Sequence, residues 1–273
     1  MWLNVPMPSF KISYSNENLK ADAETLAAKL GLGLQGSSGD EKVLPKADYL
    51  LTFKPSGLCL ESTQQGGHGP IRCDFDSGTI THRRKYGGGN GQSIAKAVGI
   101  SGKFMPHVLD LTAGMGSDGF VLAGLGCRLT LLERNSIVYS LLYDGLQRAS
   151  LAGMGDSGLA EVVARIDLLE ADSLTYLQSL ESAQLPDVIY IDPMFPARKK
   201  SAKVKKEMQV FHGIVGADED AAELLVLALQ RAKYRVVVKR SAAAGHLGEM
   251  APSYSREGKT TRFDVYALHR LPS

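Results

Sequence analysis

Five ionisable residues stand at the carboxyl ends of runs that read as hydrophobic strands: Asp110, Glu133, Asp172, Asp192 and Lys239. Ligands of open α/β sheets bind beyond those ends, so a succession of acids there points to one polar site. After the first acid comes Asp110-Leu111-Thr112-Ala113-Gly114-Met115-Gly116-Ser117-Asp118. Gly114 and Gly116 let the backbone turn tightly and approach a ligand. A helix beginning near Ser117 or Asp118 would turn its first N–H groups toward a negative group. We take these two glycines as the ones the turn needs and expect no third at a close helix–strand contact. Glu133, 19 residues after Gly114, is placed to accept hydrogen bonds from both hydroxyls of a ribose. NAD fits to this point, but Asp118 at the helix start would crowd a pyrophosphate. A ligand with one carboxylate, one ammonium and one ribose suits these groups better, and S-adenosylmethionine is such a ligand. Asp110 would serve the ammonium, the helix N-terminus the carboxylate and Glu133 the ribose. Asp172, with Ser173 beside it, would accept from the adenine amino group.

The fourth acid opens Asp192-Pro193-Met194-Phe195-Pro196. An exocyclic amine on a base has its lone pair delocalised into the ring, and acceptors aimed at its hydrogens make it a nucleophile. The Asp192 carboxylate and the Pro193 carbonyl, in a proline-stiffened loop, supply such acceptors, and Phe195 supplies a stacking face. The alternative is a proline turn with Phe195 in the core. Arg198, Lys199, Lys200, Lys203, Lys205 and Lys206 follow at once. Beside an acceptor pocket, such a run suits phosphate contacts, which position a nucleic acid without reading its sequence. Lys239 and Arg240 would extend this patch. Arg83, Arg84 and Lys85 either touch a phosphate backbone or form a solvated turn.

These side chains need a sheet to hold them. From residue 107 the chain alternates strand and helix: "HVLDLTA", "DGFVLAGLG", "CRLTLLE", "NSIVYSLLYDGLQRAS", "AEVVARIDLLEAD", a short helix at 173–183, "DVIYID", "DEDAAELLVLALQRA", "YRVVVKR" and "RFDVYALH". The strands are near-continuous Val/Ile/Leu runs. This predicts a mostly parallel, doubly wound α/β sheet covered on both faces. Residues 1–85 read differently. They hold an amphipathic helix over 17–30, a hairpin around Lys54-Pro55-Ser56-Gly57 and a third strand at "IRCDF", a small α+β unit. The glycine-rich stretch 82–99 is the join, leading to a helix near Asn90 or Ser93. The expected domains are therefore 1–85 and 86–273.

The net charge of +2 announces no polyanion partner, so it is the clustering of basic residues that matters. Cys59, Cys73 and Cys127 lack metal-ligand spacing and suit a reducing compartment. His68, His107 and His246 have no spacing that suggests a metal, and we expect none. The apolar N-terminus is short and proline-interrupted, and no run approaches a membrane span, so we expect a cytoplasmic protein.

Taken together, "DLTAGMGSDGFVLAGLGCRLTLLERN", "YIDPMFPARKKSAKVKKEMQVF", "VVVKR" and "RFDVYALH" resemble the ribosomal RNA small subunit methyltransferase J family, from about residue 80 to the C-terminus. The resemblance implies a class I S-adenosylmethionine-dependent methyltransferase with a Rossmann-like sheet. It implies methylation of the N2 amine of one guanine in 16S rRNA, free or in the small ribosomal subunit particle. It also implies cofactor contacts at Ser117, Asp118, Glu133, Arg134, Asp172, Ser173 and Asp192. Against the broader amine-methylating pattern D/N-P-P-Y/F, this chain has Met194 for the second proline. Two rivals remain: an NAD-dependent oxidoreductase, and a non-catalytic RNA-binding protein with a relic pocket.

Overall fold

The computed structural model describes residues 8–36, 47–64, 69–75, 92–193, 214, 220–258 and 260–272. They fall into two units: the described residues up to Cys73 together with Ile214 form one, and the rest, from Asp74 on, form the other. The expected join at 85 lies in 76–91, outside the described residues.

The smaller unit holds β1 (Phe10–Tyr14), α1 (Lys20–Leu30), β2 (Gly33–Gln35), β3 (Tyr49–Lys54) and β4 (Gly57–Ser62). Its sheet runs β2-β1-β3-β4, with β1 parallel to β2 and β3, and β3–β4 closing the expected hairpin. Ala23 and Ala27 form the buried face of α1, and Gly31, at φ 64°, ends the helix in the left-handed region that glycine occupies without strain. "IRCDF" does not add a third strand to the hairpin. Only Ile71 pairs, in a single bridge to Leu60. Phe75 already belongs to the larger unit, where it stacks on Phe120 with ring centroids 4.5 Å apart.

The larger unit continues with α2 (Ser93–Val98), β5 (His107–Asp110), α3 (Ser117–Gly124), β6 (Arg128–Glu133), α4 (Ser136–Ala152) and α5 (Ser157–Val163). Then come β7 (Ile166–Glu170), α6 (Ser173–Ser179), β8 (Val188–Ile191), α7 (Ala221–Arg231), β9 (Arg235–Ser241), β10 (Tyr254–Glu257) and β11 (Thr261–Ala267). The sheet order is β10-β11-β9-β8-β5-β6-β7. Strands β5 to β9 are parallel, while β11 runs antiparallel to β9 and β10 antiparallel to β11. From β5 the chain winds out through β6 and β7, then returns to β8 on the other side. The strand order therefore reverses between β5 and β8, where an open sheet opens a crevice at its carboxyl edge.

The core accounts for the apolar runs. All of β8 is buried, as are Val236, Val237 and Val238 of β9. Leu224, Leu225 and Ala228 of α7 pack over Ile189, Ile191, Val236 and Val238. Truncating one such leucine to alanine costs about 2–5 kcal/mol. Among the described residues no helix is long and apolar enough to cross a membrane. The three cysteines are buried free thiols.

Candidate active site at the strand tips

The loop after β5 ties the strand tips together. The buried Asp110 ends β5, and its Oδ1 accepts from the Thr112 N–H at 3.0 Å. The Thr112 hydroxyl in turn accepts from the backbone N–H of Asp192, the first residue past β8, at 2.7 Å. The Leu111 carbonyl accepts from Ser173 Oγ at 2.6 Å, fixing the start of α6. Gly114 N–H donates to Glu133 Oε2 at 2.9 Å, and Asn135 N–H donates to Oε1 at 2.7 Å. One short loop is thus bonded to residues from the ends of β6, β7 and β8.

Local conformation explains the glycines. Gly114 and Gly116 sit at φ 55° and 71°, in the left-handed region. A Cβ on Gly116 would also lie 2.6 Å from Leu142 Cδ1. Gly116 is the N-cap of α3, so the first-turn N–H groups of Ser117, Asp118 and Gly119 have no acceptor within the helix. The sequence reading missed Gly119. A Cβ there would lie 2.6 Å from Leu131 Cδ2, so this glycine is what allows α3 to lie close against β6. The spacing Gly114-x-Gly116-x-x-Gly119 was the signal that could have found it. Our expectation of no third glycine is corrected accordingly.

A second network crosses the tips. Tyr190 OH donates to Asp118 Oδ2 at 2.7 Å. Lys239 Nζ donates to Asp118 Oδ2 at 2.7 Å and to Asp192 Oδ2 at 2.8 Å. Burial alone would lower the Lys239 pKa, but the carboxylates of Asp192 and Asp118 outweigh it and hold it above the ordinary lysine value. Burial also raises the Tyr190 phenol, helped by the same two carboxylates, so Tyr190 acts as a neutral donor. Burial pushes Asp110 up to about 7, with Asp118 and Asp192 adding to the rise and the Thr112 N–H and Lys239 opposing it. Three carboxyl groups therefore share one ammonium, an environment that favours an incoming cation.

The remaining expected residues are placed as follows. Asp172 caps α6, accepting from Thr175 N–H and Oγ1 at 2.9 Å each. The backbone bond, with the hydroxyl, keeps its carboxyl below the usual range. Arg134 donates to Asp220 Oδ2 at 2.7 Å, linking the end of β6 to the start of α7. The expectation that Lys239 and Arg240 extend a phosphate-facing surface is corrected. Lys239 lies between two carboxylates. Arg240 is buried, and both Nε and Nη2 donate to the Gly245 carbonyl, bracing the loop after β9. His107 bonds to Thr130 Oγ1 between β5 and β6, and His246 to Asp264. Phe195, Arg83, Arg84, Lys85, Arg198, Lys199, Lys200, Lys203, Lys205, Lys206 and His68 lie outside the described residues.

The arrangement fits S-adenosylmethionine group by group. First-turn N–H groups suit a carboxylate, the Asp110–Asp118–Asp192 cluster suits cationic groups, and the Glu133 carboxylate, fixed by the Gly114 and Asn135 N–H groups, is an acceptor of the kind ribose hydroxyls need. A family model described as "Putative SAM-dependent methyltransferase" matches residues 40–268. A ribosomal RNA small subunit methyltransferase J from Cellvibrio japonicus is 50% identical over 251 residues, covering 92% of this chain and 94% of that protein. The chain belongs to the ribosomal RNA small subunit methyltransferase J family. Its relative of the same name in Marinobacter nauticus is 47% identical, covering 92% of this chain and 88% of that protein. The crystal structure of a SAM-dependent methyltransferase from Neisseria gonorrhoeae superposes with a TM-score of 0.69 at 35% identity, covering 94% of this chain and 95% of that one. The family's fold is the class I, Rossmann-like methyltransferase fold, and its cofactor is S-adenosylmethionine.

Proposed function

We propose that this methyltransferase modifies the exocyclic N2 amine of a guanine in 16S rRNA, in the cytoplasm, either on the free RNA or on the small ribosomal subunit particle. The family supports rRNA of the small subunit as substrate. The observation that carries the choice of an amine acceptor is the Asp192 backbone N–H bonded to Thr112 Oγ1, which holds Asp192 against the loop after β5. When bound, the cofactor supplies an electrophilic methyl group. Gly114, Gly116, Ser117 and Asp118 would orient its amino-acid end, Asp110 its ammonium, and Glu133 its ribose. Asp172, Ser173 and Arg134 would border the adenine. The Asp192 carboxylate and Pro193 carbonyl would accept the hydrogens of the amine, turning its lone pair toward the methyl group, and Phe195 would stack on the base. Positioning carries most of this chemistry. The guanine must leave its stack to reach the site. The basic run 198–206, with Arg83, Arg84 and Lys85, would hold RNA phosphates, and the join near 85 would separate an N-terminal α+β domain from the catalytic one.

The test is mass mapping of 16S rRNA from cells lacking the protein. Loss of one N2-methylguanine, restored by the wild-type gene and not by Asp192→Ala, is expected. An unchanged 16S methylation pattern would refute the proposal.

A further inference from the structure

Lys239 is the cation that joins the two halves of this site. It projects from β9, while Asp118 belongs to the cofactor-side helix α3 and Asp192 to the acceptor-side residues that follow β8. Its ammonium lies 2.7 Å from Asp118 Oδ2 and 2.8 Å from Asp192 Oδ2. The lysine side chain is 27% exposed, that of Asp118 19% and that of Asp192 40%. Partly exposed ion pairs are screened by solvent and add little to stability, so stability alone is a weak reason for a lysine here. Its position is more informative. Without the ammonium, Asp192 would face two other carboxyl groups, Asp110 and Asp118, and like charges would drive its side chain outward or favour its protonation. With it, Oδ2 is engaged, and the direction of the rest of the carboxylate is set.

We infer that Lys239 is a positioning residue: it clamps the Asp192 carboxylate to Asp118 in the ionised form and in the orientation that receives the acceptor amine. This rests on the proposed amine-holding role of Asp192. In this role the Lys239 ammonium acts on Asp192 and not on the amine itself, and the proton released from the amine would leave to solvent. Among the described residues, the ionisable groups facing the clamp are Asp110 from β5, Asp118 from α3, Tyr190 from β8 and Asp192.

The test compares wild type, Lys239→Gln and Lys239→Arg as full-length proteins. The assay is transfer of labelled methyl from S-adenosylmethionine to 16S rRNA purified from cells lacking the enzyme, run across pH 5–9, with cofactor affinity measured by calorimetry. Lys239→Gln should lower kcat by about a hundredfold, the scale of losing one preorganised polar group, while KM for RNA and cofactor affinity stay within about fivefold. Its acid limb should move to higher pH by about a unit or more. Lys239→Arg keeps the charge and should hold kcat within about tenfold of wild type, with the wild-type limb. A Lys239→Gln enzyme within threefold of wild-type kcat, or one that is slow with its limb unmoved, would overturn the inference and leave the functional reading intact. If Lys239→Gln does not fold, Lys239→Arg decides: a folded enzyme with the wild-type limb supports the clamp, and a displaced limb overturns it. A wild-type protein that binds cofactor but methylates no guanine amine would instead sink the functional reading itself.

Discussion

Glu133→Gln removes one acceptor from a pair of bonds, one to the glycine loop at Gly114 and one to Asn135 just past β6. Glu133 is only 6% exposed, and its two oxygens receive N–H groups from Gly114 at 2.9 Å and Asn135 at 2.7 Å. Whichever way the new amide turns, its NH2 faces one of these two donors. The variant loses one charge-assisted bond and leaves a backbone donor unpaired, at a cost of about 2–3 kcal/mol. Part of that appears as lost stability and part as a loosened Gly114 turn that binds S-adenosylmethionine less well. The full amount would weaken binding by about a hundredfold, so a ten- to hundredfold loss is expected. Titration calorimetry with the cofactor, paired with scanning calorimetry of the free protein, measures both parts. A variant that binds within twofold of wild type and melts at the same temperature would refute the reasoning that Glu133 organises the loop.

Asp110 predicts a pH dependence. Its folded pKa is raised from 3.8 to about 7, so between those values the folded chain holds more protons than the unfolded one. Stability should therefore fall as pH rises through that window, by up to roughly 4 kcal/mol, and Asp110→Asn should remove this slope in melts run from pH 4 to 8. A slope equal to wild type in the variant would place the titration elsewhere. Gly119→Ala presses a methyl against Leu131 and should cost about 1–3 kcal/mol despite alanine's better helix propensity, read as a lower urea midpoint. Asp192→Ala should abolish methyl transfer while cofactor affinity stays within about tenfold, or ~1.4 kcal/mol. Charge reversal at Lys199 and Lys200 should weaken RNA binding and flatten its salt dependence, as filter binding across a salt series would show.

The parallel sheet was legible because the interiors of β5, β6, β8 and β9 are buried and read as near-continuous apolar stretches. The hairpin was legible from Pro55-Ser56, which occupies the two-residue turn between β3 and β4. Strands without such signals were not. β1 is five residues long, β2 is three residues opening on glycine, and β10, "YSRE", is a mostly exposed edge strand. At the site, Asp110, Glu133 and Asp192 were legible because a strand end plus a charge is a local signal. The partners of Lys239 were not: it meets Asp118 across 121 residues of sequence and Asp192 across 47. From sequence Lys239 and Arg240 looked like surface cations. In the fold one is half-buried and held by ion pairs, and the other is buried and held by a backbone carbonyl. Strand periodicity gives the side a residue faces, not whether another charge waits there.

The central claim is that the strand tips form a single site for a methyl donor facing an amine acceptor. A crystal structure of the protein with S-adenosylhomocysteine tests it most directly. The product is expected to lie along residues 110–118, with its ribose hydroxyls on the Glu133 carboxylate and its sulfur facing Asp192. Product bound away from that loop, or bound with Glu133 and Asp192 both out of reach, would contradict it.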